Sequence, residues 1–189
     1  MNERIKDYLG HEEKVLWDGK AESFQAMDKT HKNYYTRRSI IVAVISVAII
    51  AAYFYSAVSS GAGIKWGVVL VLIAIAAFAL VSPVLDVRKL RKCCYVLTNE
   101  KLILVTPSDV RSVALSSIPT AKMSVDEDGH KSLLCGPDAE KLPACKRRVA
   151  TLTGALLDQQ SSMCDRFVFY AVNDPEGLKK AAHGYLTIA

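Results

Sequence analysis

SIIVAVISVAIIAAYFYSAV, residues 39–58, and WGVVLVLIAIAAFALVSPVL, residues 66–85, decide the architecture of this chain. Each run is twenty residues long and carries no charge. As a helix rising about 1.5 Å per residue, such a run spans roughly 30 Å, the thickness of a bilayer's hydrocarbon core. In the first run Ile40, Ile41, Val42, Val44, Ile45, Val47, Ile49, Ile50, Phe54 and Val58 are of types that each favour insertion by about 0.3–0.6 kcal/mol near a helix centre. A soluble core helix is rarely apolar on every face, and the apolar region of a signal peptide is shorter and nearer the N-terminus. Only Ser59 to Lys65 separates the runs, too short a segment to fold, so the two predicted helices are antiparallel neighbours in a transmembrane hairpin.

The flanking charges give this hairpin a direction. Lys29, Lys32, Arg37 and Arg38 precede the first run, Arg88, Lys89, Arg91 and Lys92 follow the second, and the connection holds Lys65 alone. A basic excess beside a span marks the cytoplasmic side, so both ends are expected inside, in a multi-pass protein of the cell membrane. Tyr34 and Tyr35 then fall at the inner interface, and Tyr53, Tyr55 and Trp66 near the outer one, where amphipathic rings settle. Across all 189 residues the chain is 51% hydrophobic with 23% charged residues and a net charge of +5, a mixture that makes sense once the apolar residues are seen to be segregated. What remains suffices for one soluble domain.

Cys93, Cys94, Cys135, Cys145 and Cys164 all follow the second run and would face the reducing cytoplasm, where structural disulfides are rare. There is no C-x-x-C, and His11, His31, His130 and His183 lack zinc-ligand spacing. No metal and no cofactor is expected.

Upstream of the hairpin, Asn2 to Leu9 has a helical pattern ended by Gly10, and Lys14-Val-Leu-Trp17 reads as a strand closed by a turn at Asp18-Gly19. This is too little to fold alone, so Trp17 is expected to bury on the later domain or lie at the membrane surface. Downstream, short strands recur about every ten residues, the spacing of a small antiparallel sandwich or barrel. Cys94 to Leu97 and Lys101 to Val105 flank a reversal at Thr98-Asn-Glu100; Val110 to Leu115 follows; Lys122 to Val125 and Ser132 to Cys135 flank the acidic tip Asp126-Glu-Asp-Gly129. Cys145 to Gln160 has helical spacing, and Arg166 to Val172 is a last strand before the N-cap Asn173-Asp-Pro175 and a helix to about His183.

Tyr95-Val-Leu-Thr-Asn-Glu-Lys-Leu-Ile-Leu104 resembles the Y-x-L-T-N-x-R-L motif of bacterial pleckstrin-homology-like (PH) domains, through Tyr95, Leu97, Thr98, Asn99, Lys101 and Leu102. Glu13 to Gly19 is similar to the E-x-V-L-W-x-G segment that precedes the membrane hairpin in such proteins, Val113 to Ile118 to their strand leading into an L-x-x-I step, and Phe167 to Leu178 to their closing strand, cap and helix. Lys101 stands where the motif has arginine, and residues 139–165 look like an insertion. The resemblance implies an α+β membrane protein: a cytoplasmic segment 1–38, transmembrane helices at 39–58 and 66–85 around an external loop 59–65, and a PH-like domain over 93–189. That domain would be a partly open, seven-stranded antiparallel β-barrel capped by the C-terminal helix.

No nucleophile and base, paired carboxylates or phosphate-cradling glycine loop marks a catalytic centre. Asp126, Glu127 and Asp128 read as a solvated hairpin tip, since no further carboxylate close in sequence completes a calcium loop. Cys93 and Cys94 beside Arg91 and Lys92 could carry thiolate chemistry or acylation, or simply begin a strand. Eukaryotic relatives of the motif bind phosphoinositides through a basic loop, but the matching reversal here carries Glu100. Lys146, Arg147 and Arg148 make a better basic patch, for lipid or a partner, or a plain solvated face. The expectation is a non-enzymatic, membrane-anchored interaction or scaffold protein that binds a protein partner or itself, in contact with membrane lipids and with neither nucleic acid nor small-molecule substrate. The alternatives are a sensor of anionic headgroups and a thiol-based membrane enzyme.

Overall fold

The computed structural model describes residues 8–10, 12–61, 63–158 and 162–189. The helix expected from Asn2 to Leu9 lies almost wholly outside them. Two long helices, α1 (Lys29–Ser59) and α2 (Trp66–Leu90), run antiparallel, and both are long and apolar enough to cross a membrane. Most side chains of both apolar runs are exposed, Val44, Val47, Leu70 and Phe78 among them. Tyr53 closes the far end by accepting from Lys65 N (2.9 Å). Near the other end Arg38 Nη2 donates to Ser82 Oγ (3.0 Å). The first helix starts ten residues before its uncharged run, so the basic flank forms its opening turns.

The rest is a two-sheet unit built from both sides of the hairpin. β1 (Val15–Lys20) pairs antiparallel with β2 (Cys94–Thr98), followed in the same sheet by β3 (Lys101–Val105) and β4 (Val110–Ala114). The second sheet holds β5 (Ala121–Val125), β6 (Lys131–Cys135), β7 (Leu156–Leu157) and β8 (Cys164–Phe169) in the order β5-β6-β8-β7. Because β1 precedes the hairpin and β2 follows it, both ends of the hairpin enter one folded body. The strands do not close a barrel: the sheets meet at one corner through a single bridge, Ala21 to Val172.

Alternation fills the space between the sheets with Tyr95, Leu97, Leu102, Leu104, Leu133, Cys135, Phe167 and Phe169. Helix α5 (Pro175–Ala182) adds Leu178 and Ala182 to this core. Trp17 is buried in it too, its Nε1 donating to Asp174 (3.3 Å), the N-cap of α5, so its ring packs on the later domain. The strand does not end at Asp18-Gly19 as expected. It continues to Lys20 because Gly19 pairs with Tyr95, and a Cβ at Gly19 would run into the Trp17 ring.

The segment between β6 and β8 has a structural task. It begins at Gly136, where φ is +91° and a Cβ would collide with the backbone of Cys164 and Asp165. Helix α3 (Pro137–Glu140), a 3-10 turn (Ala144–Lys146) and α4 (Arg147–Thr153) follow. Ala139, Ala150 and Leu142 cover Leu134 and Val168 on the outer face of the second sheet. Both faces of β6 and β8 are thereby covered at these positions. The single helix expected from Cys145 to Gln160 stops at Gly154, whose φ of +78° serves as a C-cap against Arg111.

Candidate functional site

At the foot of the hairpin the first four backbone donors of α1 need partners, as at any helix start. Asp28, the N-cap, accepts from His31 N (3.0 Å), and its carbonyl accepts from Lys32 N (2.8 Å). Asp128 accepts from Lys29 N (3.1 Å), Thr30 N (2.9 Å) and Thr30 Oγ1 (2.7 Å). The acidic loop is therefore no solvated tip. It caps α1, and the backbone and hydroxyl of Thr30 hold the Asp128 carboxyl below its ordinary pKa against a small desolvation. Asp126 is buried, folds the loop by accepting from Asp128 N (3.0 Å) and His130 N (2.9 Å), and accepts from Tyr170 Oη (3.1 Å).

Arg148 joins these pieces. It is fully buried, ion-paired to Asp28, donates to the Ala26 carbonyl (3.1 Å) and to Tyr170 Oη (3.3 Å), and lies over the Phe24 ring (4.5 Å) and the Tyr170 ring (5.2 Å). His31 sits 2.7 Å from Asp28 through Nδ1 and stacks on Tyr35. Burial and the Arg148 charge lower the His31 pKa, outweighing Asp28 and Asp126. Arg147 is also buried, with Nε and Nη1 lacking a protein partner, and burial lowers its pKa. Lys146, Arg147 and Arg148 thus form no surface patch: of the three only Lys146 is exposed, because helix α4 turns both arginines inward against the hairpin and β8. Tyr35, expected at the lipid interface, is buried in the same foot.

The motif residues form a second junction. Thr98 Oγ1 donates to Glu13 Oε1 (2.6 Å), Lys101 Nζ lies 2.9 Å from Glu13 Oε2, and Asn99 brackets Lys14 by accepting its N–H (2.8 Å) and donating to its carbonyl (3.1 Å). Burial would raise the Glu13 pKa, but bonds from Thr98, Gly10 and Lys101 with the Lys101 charge bring it below the ordinary value. Tyr95 donates to the Tyr170 carbonyl (2.6 Å) and stacks on Phe169, while Leu97 and Leu102 are core.

The cysteines are free, and Cys93, Cys135 and Cys164 are buried. Desolvation pushes the Cys93 thiol up to about 12 and Cys164 to about 11, with Cys135 higher still. That opposes the thiolate which thiol catalysis at Cys93 requires. Among the described residues no group of three His, Cys, Asp or Glu is placed to hold a metal ion. The juxtamembrane cations Lys29, Lys32, Arg37, Arg88, Lys89 and Lys92 are exposed; Arg38 is half-buried; Arg91 donates to the Phe24 carbonyl (3.2 Å from Nε), pinning the pre-hairpin segment to the end of α2. A groove of about 450 Å³ lies on the outer side of this foot, lined by Tyr34, Arg37, Arg38, Ile41, Val42 and Lys146.

Neither the Asp28, His31 and Arg148 cluster nor the capping role of Asp128 is visible in the sequence; the one local signal is Asp28 three residues ahead of His31 at a helix start. Comparison with protein-family models, curated proteins and solved structures finds no match to this chain.

Proposed function

We propose that this chain is a non-enzymatic interaction protein anchored in the cell membrane by its helical hairpin, with both ends in the cytoplasm and a PH-like two-sheet unit held against the inner leaflet. The carrying observation is the foot of the hairpin, where Arg148, Asp28 and Asp128 weld the first helix to the sheets on either side of it. A domain on a flexible tether has no use for such a weld; a domain that must present one face at a fixed height above the bilayer does. The strand order, with four strands, then the antiparallel set completed by β8, then Asp174-Pro175 and a capping helix, favours the PH-like build. The partner, another protein or a second copy, would use Leu156 and Leu157, which stand exposed on the edge strand β7.

Two measurements in intact cells test this. A cysteine placed at Ser60 should react with an impermeant thiol reagent from outside, and one at Ser108 only after permeabilisation; the reverse pattern overturns the topology. A photo-crosslinker at Leu157 should give one discrete adduct of higher mass, and a monomer alone would overturn the partner reading.

A further inference from the structure

We propose that the groove between the first long helix and the inserted segment binds the headgroup of one anionic phospholipid from the inner leaflet. The proposal rests on the membrane reading above and adds a ligand to it. Tyr34, Arg37 and Arg38, then Ile41 and Val42, recur at spacings of three and four residues, so they stack along one helix face. Each step of four residues climbs about 6 Å. In the direction of the bilayer that face presents an interfacial aromatic ring, then two cations, then apolar side chains at the start of the uncharged run. A phospholipid presents the complementary order, phosphate and then acyl chain.

Lys146 supplies the opposite wall, and its position is set by Arg148, which the Asp28 ion pair and the Ala26 carbonyl fix two residues away. Arg38 is steadied by Ser82 on the neighbouring helix. Among the described residues three cations line the groove and no carboxylate does, so an anion there meets net positive charge in the lining. Its volume of about 450 Å³ lies in the range of small-ligand sites. An acidic peptide could use the cations but gains nothing from Ile41 and Val42 at the depth of the acyl chains. The site also differs from the dispersed basic flank, since Lys89 and Lys92 are exposed and are not part of this lining.

The test uses the full chain in nanodiscs of phosphatidylcholine with a minor share of phosphatidylglycerol, with lipids retained after extraction into neutral detergent counted by native mass spectrometry. The expected result is one phosphatidylglycerol per chain, in preference to phosphatidylcholine. Arg37→Gln with Lys146→Gln, two exposed residues without structural bonds, should lower that retention roughly thirtyfold, the effect of two near-surface charges. Lys89→Gln with Lys92→Gln, outside that lining, should leave the preference for phosphatidylglycerol in place. Equal loss in both pairs, equal retention of phosphatidylcholine, or a second protein chain retained in place of lipid would overturn the site. Failure of the chain to enter discs at all would instead overturn the membrane reading beneath it.

Discussion

Two junctions fasten the segment before the hairpin to the domain after it, and they are built in opposite ways. The corner junction joins Glu13 and Lys14 to Thr98, Asn99 and Lys101, all from one tight turn, with Lys101 still about a quarter exposed. The foot junction draws Asp28, His31, Asp126, Arg148 and Tyr170 from separate segments into a site where both partners of the ion pair are desolvated. A short local lock gains from every bond it makes and loses little if one fails. A buried lock is costly to assemble and more costly to leave half assembled, because a stranded charge keeps its desolvation penalty. The second kind specifies one docking geometry, and that suits the place where a long helical hairpin meets a folded unit.

The comparison breaks most visibly at Arg148. Arg148→Ala strands Asp28 and should cost about 3–5 kcal/mol. The unfolding transition in detergent, followed by the reaction of the buried Cys135 thiol, reads this directly. Arg148→Met combined with Asp28→Leu removes both charges and should recover more than half of the loss. A double variant as unstable as the single one would show that packing, not stranded charge, dominates the foot.

Thr98→Val tests the corner by the same readout. The variant keeps the shape but takes the hydroxyl from Glu13, whose remaining partners are Gly10 N and Lys101. The expected loss is about 1–2 kcal/mol, clearly below that of Arg148→Ala. Equal losses would erase the distinction between the junctions.

The same contrast explains what could be read in the sequence. The hairpin was legible because a span of twenty uncharged residues needs only local counting, and the strands because alternation is local too. The corner was legible as a motif for the same reason, although its task, holding Glu13, was not. The foot was hidden since Asp28 and Arg148 lie 120 positions apart, and a run of three basic residues looks alike whether it faces water or folds inward. Asp126 to Asp128 misled in the same way: an acidic turn is ordinarily a solvated tip, and only the arrival of a helix N-terminus beside it makes it a cap.

Acidification should separate the junctions by pH. The His31 pKa is lowered in the fold, so its contribution is present above the unfolded value of about 6.5 and is lost as pH falls through that value toward the folded one. Arg148, Asp28, Asp126, Tyr35 and Tyr170 are the groups that face this ring, and the Asp28 and Asp126 carboxylates soften the effect while Arg148 sharpens it. Glu13 is also lowered, so the corner keeps its contribution above the carboxylate value of about 4.3 and loses it only below. A titration of stability should therefore show loss beginning near pH 6 that His31→Gln removes, and a second loss below about pH 4 that it leaves in place. A first loss that persists in His31→Gln would assign it to another group.

Lys101→Arg should have the smallest effect. Lys101 Nζ bonds both Glu13 Oε2 (2.9 Å) and the Tyr8 carbonyl (2.9 Å), a division of one ammonium between two acceptors. A guanidinium would offer Glu13 a planar fork in place of a point charge, and the Thr98 hydroxyl already occupies the other carboxylate oxygen. The second arm of the fork would share an oxygen that already accepts from Thr98, and the bond to Tyr8 is at risk of being lost. A gain on one acceptor set against a loss on the other leaves a shift within about 0.5 kcal/mol, the range of a partly exposed pair. A gain well above 1 kcal/mol in the same detergent unfolding assay would mean that the corner, like the foot, is limited by charge rather than by geometry.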